Sequence, residues 1–162
     1  MQTERNHPID SSRIAHMIGV AEYMYNNASR YKTDPEMAYS IGLLHDIGYI
    51  SGTKEGHEHY GAELIQRCFS TNFGMPYIGE IIYDHGVMPL DYMNEHRCNA
   101  DEIPPDLVLL WEADMMVDLT GKPVGFEKRL SDIGERHGFD SRPYKVCHNT
   151  IEWLKENQKE LI

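Results

Sequence analysis

A chain of 162 residues, 41% hydrophobic and 25% charged, has the size and composition of one globular domain with a sizeable core. Its formal net charge of −11 excludes the basic surface that non-specific nucleic-acid binding needs, although a nucleotide substrate stays open because a bound cation reverses the local field. No run reaches the length of a membrane span and the first twelve residues lack a signal-peptide core. Three cysteines, an odd number with no pair at metal-ligand spacing, fit a reduced, cytoplasmic protein with no nucleic-acid or membrane partner.

Helical periodicity runs along the chain. From Asp10 onward, Ile14, Met17, Ile18, Ala21, Met24, Tyr25 and Ala28 recur at spacings of three and four. They predict an amphipathic helix with its N-cap among Asp10, Ser11 and Ser12. His16 falls off that stripe, with Val20 and Tyr23 on a second face, so the helix is expected to be central and mostly buried. A second helix opens with Asp34 as N-cap and Pro35 at its first position, passes Met37, Ala38, Ile41 and Leu44, and stops by Gly48. After a polar loop, EHYGAELIQRCF and PYIGEIIYDHG read as the third and fourth helices. VMPLDYMNEHRCNADEIPP reads as a long irregular connection. PDLVLLWEADMMVDLTG is expected to be the most buried helix, and VGFEKRLSDIGERHG and RPYKVCHNTIEWLKENQ close the chain as amphipathic helices. With no strand alternation, internal repeat or domain boundary, the expectation is an all-α, single-domain helical bundle of six or seven helices over residues 1–162.

The stretch GLLHDIGYI, Gly42 to Ile50, sets His45 and Asp46 beside Leu43, Leu44 and Ile47. Burying an unpaired carboxylate is costly, so either the pair is satisfied within the core or a cation faces it. His16 and Asp114, the latter in LLWEADMMVD, stand in equally apolar helical surroundings, and basic residues are few and mostly elsewhere. One shared divalent cation satisfies two imidazoles and two carboxylates at once, since these are usual ligands of Zn, Mn or Fe.

The order His…His-Asp…Asp, with the doublet closing an apolar helix as LLHDIG, resembles the HD superfamily of metal-dependent phosphohydrolases over roughly Ser11 to Gly121. The resemblance implies an HD-domain-like bundle with a metal-binding core at about 11–121 and C-terminal helices at about 122–160. Those helices are expected to pack over the bundle and shape the pocket or an oligomer interface. It also implies that His16, His45, Asp46 and Asp114 hold a first metal and that Asp46 bridges to a second. GHEHYGAEL matches the His-x-x-x-Gly-Ala pattern of dinuclear members, which selects His57; IIYDHG ends a helix where such members carry another ligand, which selects His85. The cofactors implied are one or two divalent ions per chain, Mn, Fe, Zn, Ni, Co or Mg. No GYP segment follows His85, so the likeness to the cyclic-dinucleotide phosphodiesterase subgroup is poor.

The implied function is a phosphohydrolase that attacks a phosphate ester or anhydride of a small phosphorylated substrate, a nucleotide among the candidates, with metal-activated water. Asp46 would orient that water. His59, in the same loop, is a candidate to support a ligand or donate a proton. Lys54 is the first choice for a phosphate contact, ahead of Arg13, Lys122 and Arg129. His7, His96, His137 and His148 read as surface or local packing. Two other readings fit the same ligand order: a dinuclear iron enzyme that uses O₂, and a non-catalytic bundle that binds a nucleotide or a protein. A homo-oligomer stays open.

Overall fold

The computed structural model describes residues 9–52, 55–69 and 74–161, the last four by their backbone alone. Among the described residues are eight α-helices: α1 (Ser11–Asn27), α2 (Pro35–Leu44), α3 (His57–Phe69), α4 (Met75–Asp84), α5 (Pro89–His96), α6 (Pro105–Met116), α7 (Phe126–His137) and α8 (Arg142–Leu161). Short 3-10 turns occupy Ala28–Tyr31, Ile47–Ser51 and Ala100–Glu102. The one β-type pairing among these residues is an isolated antiparallel bridge between Val117 and Pro123. No described helix is long and apolar enough to cross a membrane.

The first two helices start where their polar residues dictate. The Asp10 carboxylate accepts the Arg13 N–H at 2.8 Å, and Asp34 accepts that of Met37 at 2.8 Å, each satisfying a donor that the first helical turn leaves unpaired. Pro35 occupies the first turn of α2, where its missing N–H costs nothing. α1 packs along α2, and α3 along α4. α6 runs through the middle, with every residue from Asp106 to Ala113 buried, as a helix apolar on nearly all sides requires. Its Trp111 meets Tyr92 of α5 and Trp153 of α8 edge-on, and α7 and α8 pack against it.

Four sequence-based expectations change. The helix count rises to eight because Pro89–His96, read as part of an irregular connection, forms α5: Pro89 sits at its first position, Asp91 favours its first turn, and Pro89 and Tyr92 are buried. α1 is not buried along its whole apolar stripe. Its core face is His16, Met17, Val20, Ala21 and Met24, whereas Ile14, Ile18 and Tyr25 are exposed by 47%, 40% and 49%. The helix is rotated so that His16 points inward. α2 stops at Leu44 rather than by Gly48, and α6 at Met116 rather than at Gly121.

Gly48 has another use: a Cβ there would stand 1.7 Å from the His57 carbonyl oxygen, so its lack of a side chain lets the start of α3 press against the His45–Asp46 turn. Gly19 plays the same part between α1 and the turn after α6, where a Cβ would lie 2.3 Å from the Gly121 oxygen. Gly121 itself has φ +80°, the left-handed region that glycine tolerates. Gly19→Ala should therefore destabilise by about 3 kcal/mol, the upper end of overpacking costs, because backbone rather than a flexible side chain must move. Urea unfolding followed by circular dichroism measures it, and a change within about 0.5 kcal/mol would contradict this contact.

Candidate metal centre

His45 is the C-cap residue just past the end of α2, and His85 is the C-cap residue just past the end of α4. The last turn of a helix has carbonyl groups that the regular i to i−4 ladder does not use, and both imidazoles bond to carbonyls of that turn. Nδ1 of His45 lies 2.7 Å from the Gly42 oxygen, and Nδ1 of His85 lies 2.6 Å from the Ile82 oxygen, three residues back in each case. His16 makes the same kind of bond across the fold, from Nδ1 to the Asp118 oxygen at 3.1 Å. His57, the first residue of α3, sets Nδ1 3.0 Å from Oε2 of Glu58. A carbonyl or ionised carboxylate oxygen can only accept, so Nδ1 carries the proton in all four rings and Nε2 is the nitrogen left for other work.

The four Nε2 atoms converge on two carboxylates. Asp46 Oδ2 is 3.4 Å from His45, and Asp46 Oδ1 is 3.1 Å from His57 and 3.7 Å from His85. His16 Nε2 is 2.9 Å from Asp114 Oδ1. Potential ligand atoms of His16, His45 and Asp46 lie within 4.8 Å of one another, and so do those of Asp46, His57 and His85. Asp46 is shared by the two groups, one oxygen facing each. The structure thus brings together all six residues singled out as ligand candidates, with His16, His45 and Asp46 buried almost completely. Neutral imidazoles would aim lone pairs at anionic oxygens, which is unfavourable. Either the rings take a second proton or a cation sits between. The fit to a metal rests on His45: its Nε2 is buried and makes no hydrogen bond, although Asp46 is only 3.4 Å away.

Basic residues are not elsewhere, contrary to the sequence-based expectation. Arg13 Nη1 lies 2.5 Å from Asp46 Oδ2, and its guanidinium sits 4.1 Å over the Tyr49 ring. Arg129 donates Nε to the Asp114 carbonyl at 3.0 Å and Nη2 to Asp114 Oδ1 at 3.4 Å. Burial opposes ionisation of both carboxylates; in the metal-free site the charge of a protonated His45 overcomes it for Asp46, and His16 followed by Arg129 overcomes it for Asp114. Both carboxyls are held well below the ordinary range. For His45 itself burial works against the charged form, yet the Asp46 charge prevails and its pKa is raised.

In front of the cluster opens a cavity of about 440 Å³, with Arg13, Asp46, Tyr49, His57, His85 and Asp114 on its floor. His16 and His45 lie fully buried behind them. Trp111 braces the floor, donating Nε1–H to the His85 carbonyl at 3.0 Å. α7 and α8 supply the opposite wall, including Cys147, whose thiol burial and the Asp114 charge push up to about 12, so it is no nucleophile at neutral pH.

His59 is not brought to this cavity. It is exposed, stacks on Tyr83 at 4.2 Å, and lines a separate groove with Glu63, Glu80 and His96. The adjacent residue, Glu58, makes the bond to His57 instead, because successive residues at a helix start point to different sides. Lys54 lies outside the described residues. Lys122 is exposed, and its backbone N–H donates to Asp118. His137, read as surface packing, lines the cavity, while His148 is exposed. Arg13 and Arg129 are both among the sequence candidates for a phosphate contact, Arg13 because it precedes His16 by three residues on one helix face and Arg129 because it follows Asp114; their bonds to Asp46 and Asp114 are visible only in the structure.

Because metal and proton compete for the same Nε2 atoms, binding of a divalent ion must release protons. The raised His45 pKa gives the metal-free protein stability that is present below about pH 6.5 and lost as pH rises through the higher folded value. The sign reverses for the metal-loaded form, so the stabilisation conferred by a fixed Mn²⁺ concentration should grow between about pH 6 and 8. Thermal unfolding with and without Mn²⁺ across that range checks this; an increment that shrinks with pH would contradict the assignment of Nε2 as the metal-facing nitrogen.

Comparison with curated proteins and with solved structures found no match. The family model described as HD domain matches residues 13–115. That segment contains Arg13, all four imidazoles and both carboxylates of the cluster, and it spans well over half of the chain; the chain belongs to the HD domain family.

Proposed function

We propose that the protein is a metal-dependent phosphohydrolase that cleaves a phosphate ester or anhydride of a small substrate. In this reading His16, His45, Asp46 and Asp114 hold one divalent cation, and Asp46, His57 and His85 hold a second. When bound, such a cation polarises a phosphoryl oxygen and lowers the pKa of a water molecule. The observation that carries the reading is the uniform use of Nδ1 for backbone or carboxylate partners, which leaves four Nε2 atoms facing two ionised carboxylates at the floor of an open cavity.

The remaining groups suit an anionic substrate. Arg13 is fixed over Tyr49 and lines the cavity, so its guanidinium can take a phosphate oxygen. The Tyr49 phenol, pushed up to about 12 by burial and then by the Asp46 charge, stays protonated and is a hydrogen-bond donor. Asp46 stays ionised throughout the neutral range and orients a water by accepting one of its hydrogens. The net charge of −11 means that the chain as a whole repels such a substrate, so attraction must be local to the site.

Protein purified without chelator should release phosphate from members of a panel of phosphate esters and anhydrides with Mn²⁺ under anaerobic conditions. Asp46→Ala should lower kcat/KM by more than the roughly 10–100-fold typical of residues that merely orient ligands, with its helical circular dichroism retained. Activity confined to iron-loaded enzyme with O₂, and no phosphate release from any ester, would replace this reading by an oxidative one. His57→Ala should separately lower the bound metal from two equivalents per chain to one; unchanged stoichiometry at two would remove His57 from the second site.

A further inference from the structure

The wall of the cavity opposite the metal centre is built by residues beyond the family-matched segment. It carries an unusual concentration of one residue type. The chain has eight arginines, and four of them, Arg13, Arg129, Arg136 and Arg142, line this one cavity. They do so in a protein with 26 acidic residues. Arg129 and Arg136 stand seven residues apart on α7, with Ile133 between them also facing the cavity, so they share one helix face about 10.5 Å apart along the axis. Arg142 is the first residue of α8.

These arginines differ in how they are held. Arg129 is buried and tied to Asp114, yet its Nη1 has no hydrogen-bond partner. Arg136 donates Nε to the Asp132 carbonyl at 3.2 Å, and among the described residues no ion pair involves Arg136 or Arg142. Partial burial, and then the neighbouring Arg129 and Arg13 charges, depress the Arg136 pKa despite the opposing Asp132 charge. A guanidinium is always charged and presents a planar fork of donors that matches a phosphate.

We propose that Arg136 and Arg142, with the free nitrogen of Arg129, form an anion subsite that seats a second phosphate group of the substrate, away from the one at the metal centre. The protein then acts on compounds carrying two separated phosphates in preference to simple monoesters. This inference rests on the proposed phosphohydrolase activity for its meaning, but its test does not require turnover. Arg13 and the metal centre serve the phosphate that is cleaved; Arg136, two helical turns outward from Arg129, is placed for one that is not.

The test is calorimetric titration of the chelated, metal-free protein with butane-1,4-bisphosphonate and with butylphosphonate, a pair that differs by one phosphonate and cannot be hydrolysed at phosphorus. The bisphosphonate should bind at least tenfold more tightly. The double variant Arg136→Gln/Arg142→Gln should reduce that preference to less than threefold. Lys145→Gln, an exposed change on α8 away from the cavity, should retain it, and circular dichroism melting of the double variant checks that it is folded. Equal affinity for the two probes, or a preference unaltered in the folded double variant, would overturn the subsite. If the double variant does not fold, Arg136→Gln alone is read by the same criterion. Because no metal and no turnover are involved, a negative result here leaves the hydrolase reading intact, and failure to find hydrolysis leaves a positive result here intact.

Discussion

A backbone carbonyl accepts hydrogen bonds and cannot donate them, and the arrangement of the site depends on that limitation. His45 and His85 each cap the C-terminal end of a helix and each reach three residues back to a carbonyl of its last turn. The tautomer and the ring orientation follow without any further contact. Helix termination and ligand orientation are therefore one event at both positions. His16 obtains the same result from the turn after α6, which explains why α1 turns its His16 face inward and leaves Ile14 and Ile18 in solvent. The backbone contact between Gly19 and Gly121 keeps that turn close enough for the bond to form.

Glu112 shows what a buried carboxylate looks like when protein alone satisfies it. It lies two residues before Asp114 on the same helix and is 2% exposed. Tyr23 donates its hydroxyl at 2.5 Å, Arg30 donates Nη1 at 2.9 Å, and Tyr31 donates its hydroxyl to the other oxygen. Donors meet acceptors throughout, as a stable buried network requires. Around Asp46 the pattern differs: three imidazole Nε2 atoms face it from 3.1 to 3.7 Å, and one of them makes no hydrogen bond. Glu112 thus braces the fold, whereas Asp46, like Asp114 two residues beyond Glu112, faces the cavity.

The residues that sequence reasoning could bring together were those whose placement is local or follows a family order. The His45–Asp46 doublet closes an apolar helix, His57 and His85 stand at helix ends, and Asp10, Asp34 and Pro35 mark helix starts by short-range hydrogen bonding and steric fit. What escaped depends on tertiary register. α5 is only eight residues long and buries little, so its periodicity was too short to separate from a loop. The rotation of α1 is set by a bond to a residue 102 positions away. Arg129 reaches Asp114 across a turn that no pattern of apolar spacing describes, and Arg136 acquires its meaning from the cavity that α7 and α8 enclose. His59 was misplaced because adjacent residues at a helix start share a loop in sequence but not a direction in space.

The cavity is assembled from two stretches of chain that are remote in sequence. Its floor comes largely from residues 13 to 114, and its opposite wall from residues 129 to 150. Contacts over such separations carry a higher loop-closure cost than the pairings of α1 with α2 and α3 with α4, which are local in sequence and favoured to form first. Folding order thereby imposes a sequence of competences: the ligand-bearing helices can pair while the arginine wall is still absent. A chain at that stage exposes the histidine cluster to solvent and to any passing ion. Under the function and subsite proposed above, metal binding and substrate selection are then separable steps, and the second waits on the docking of the last two helices.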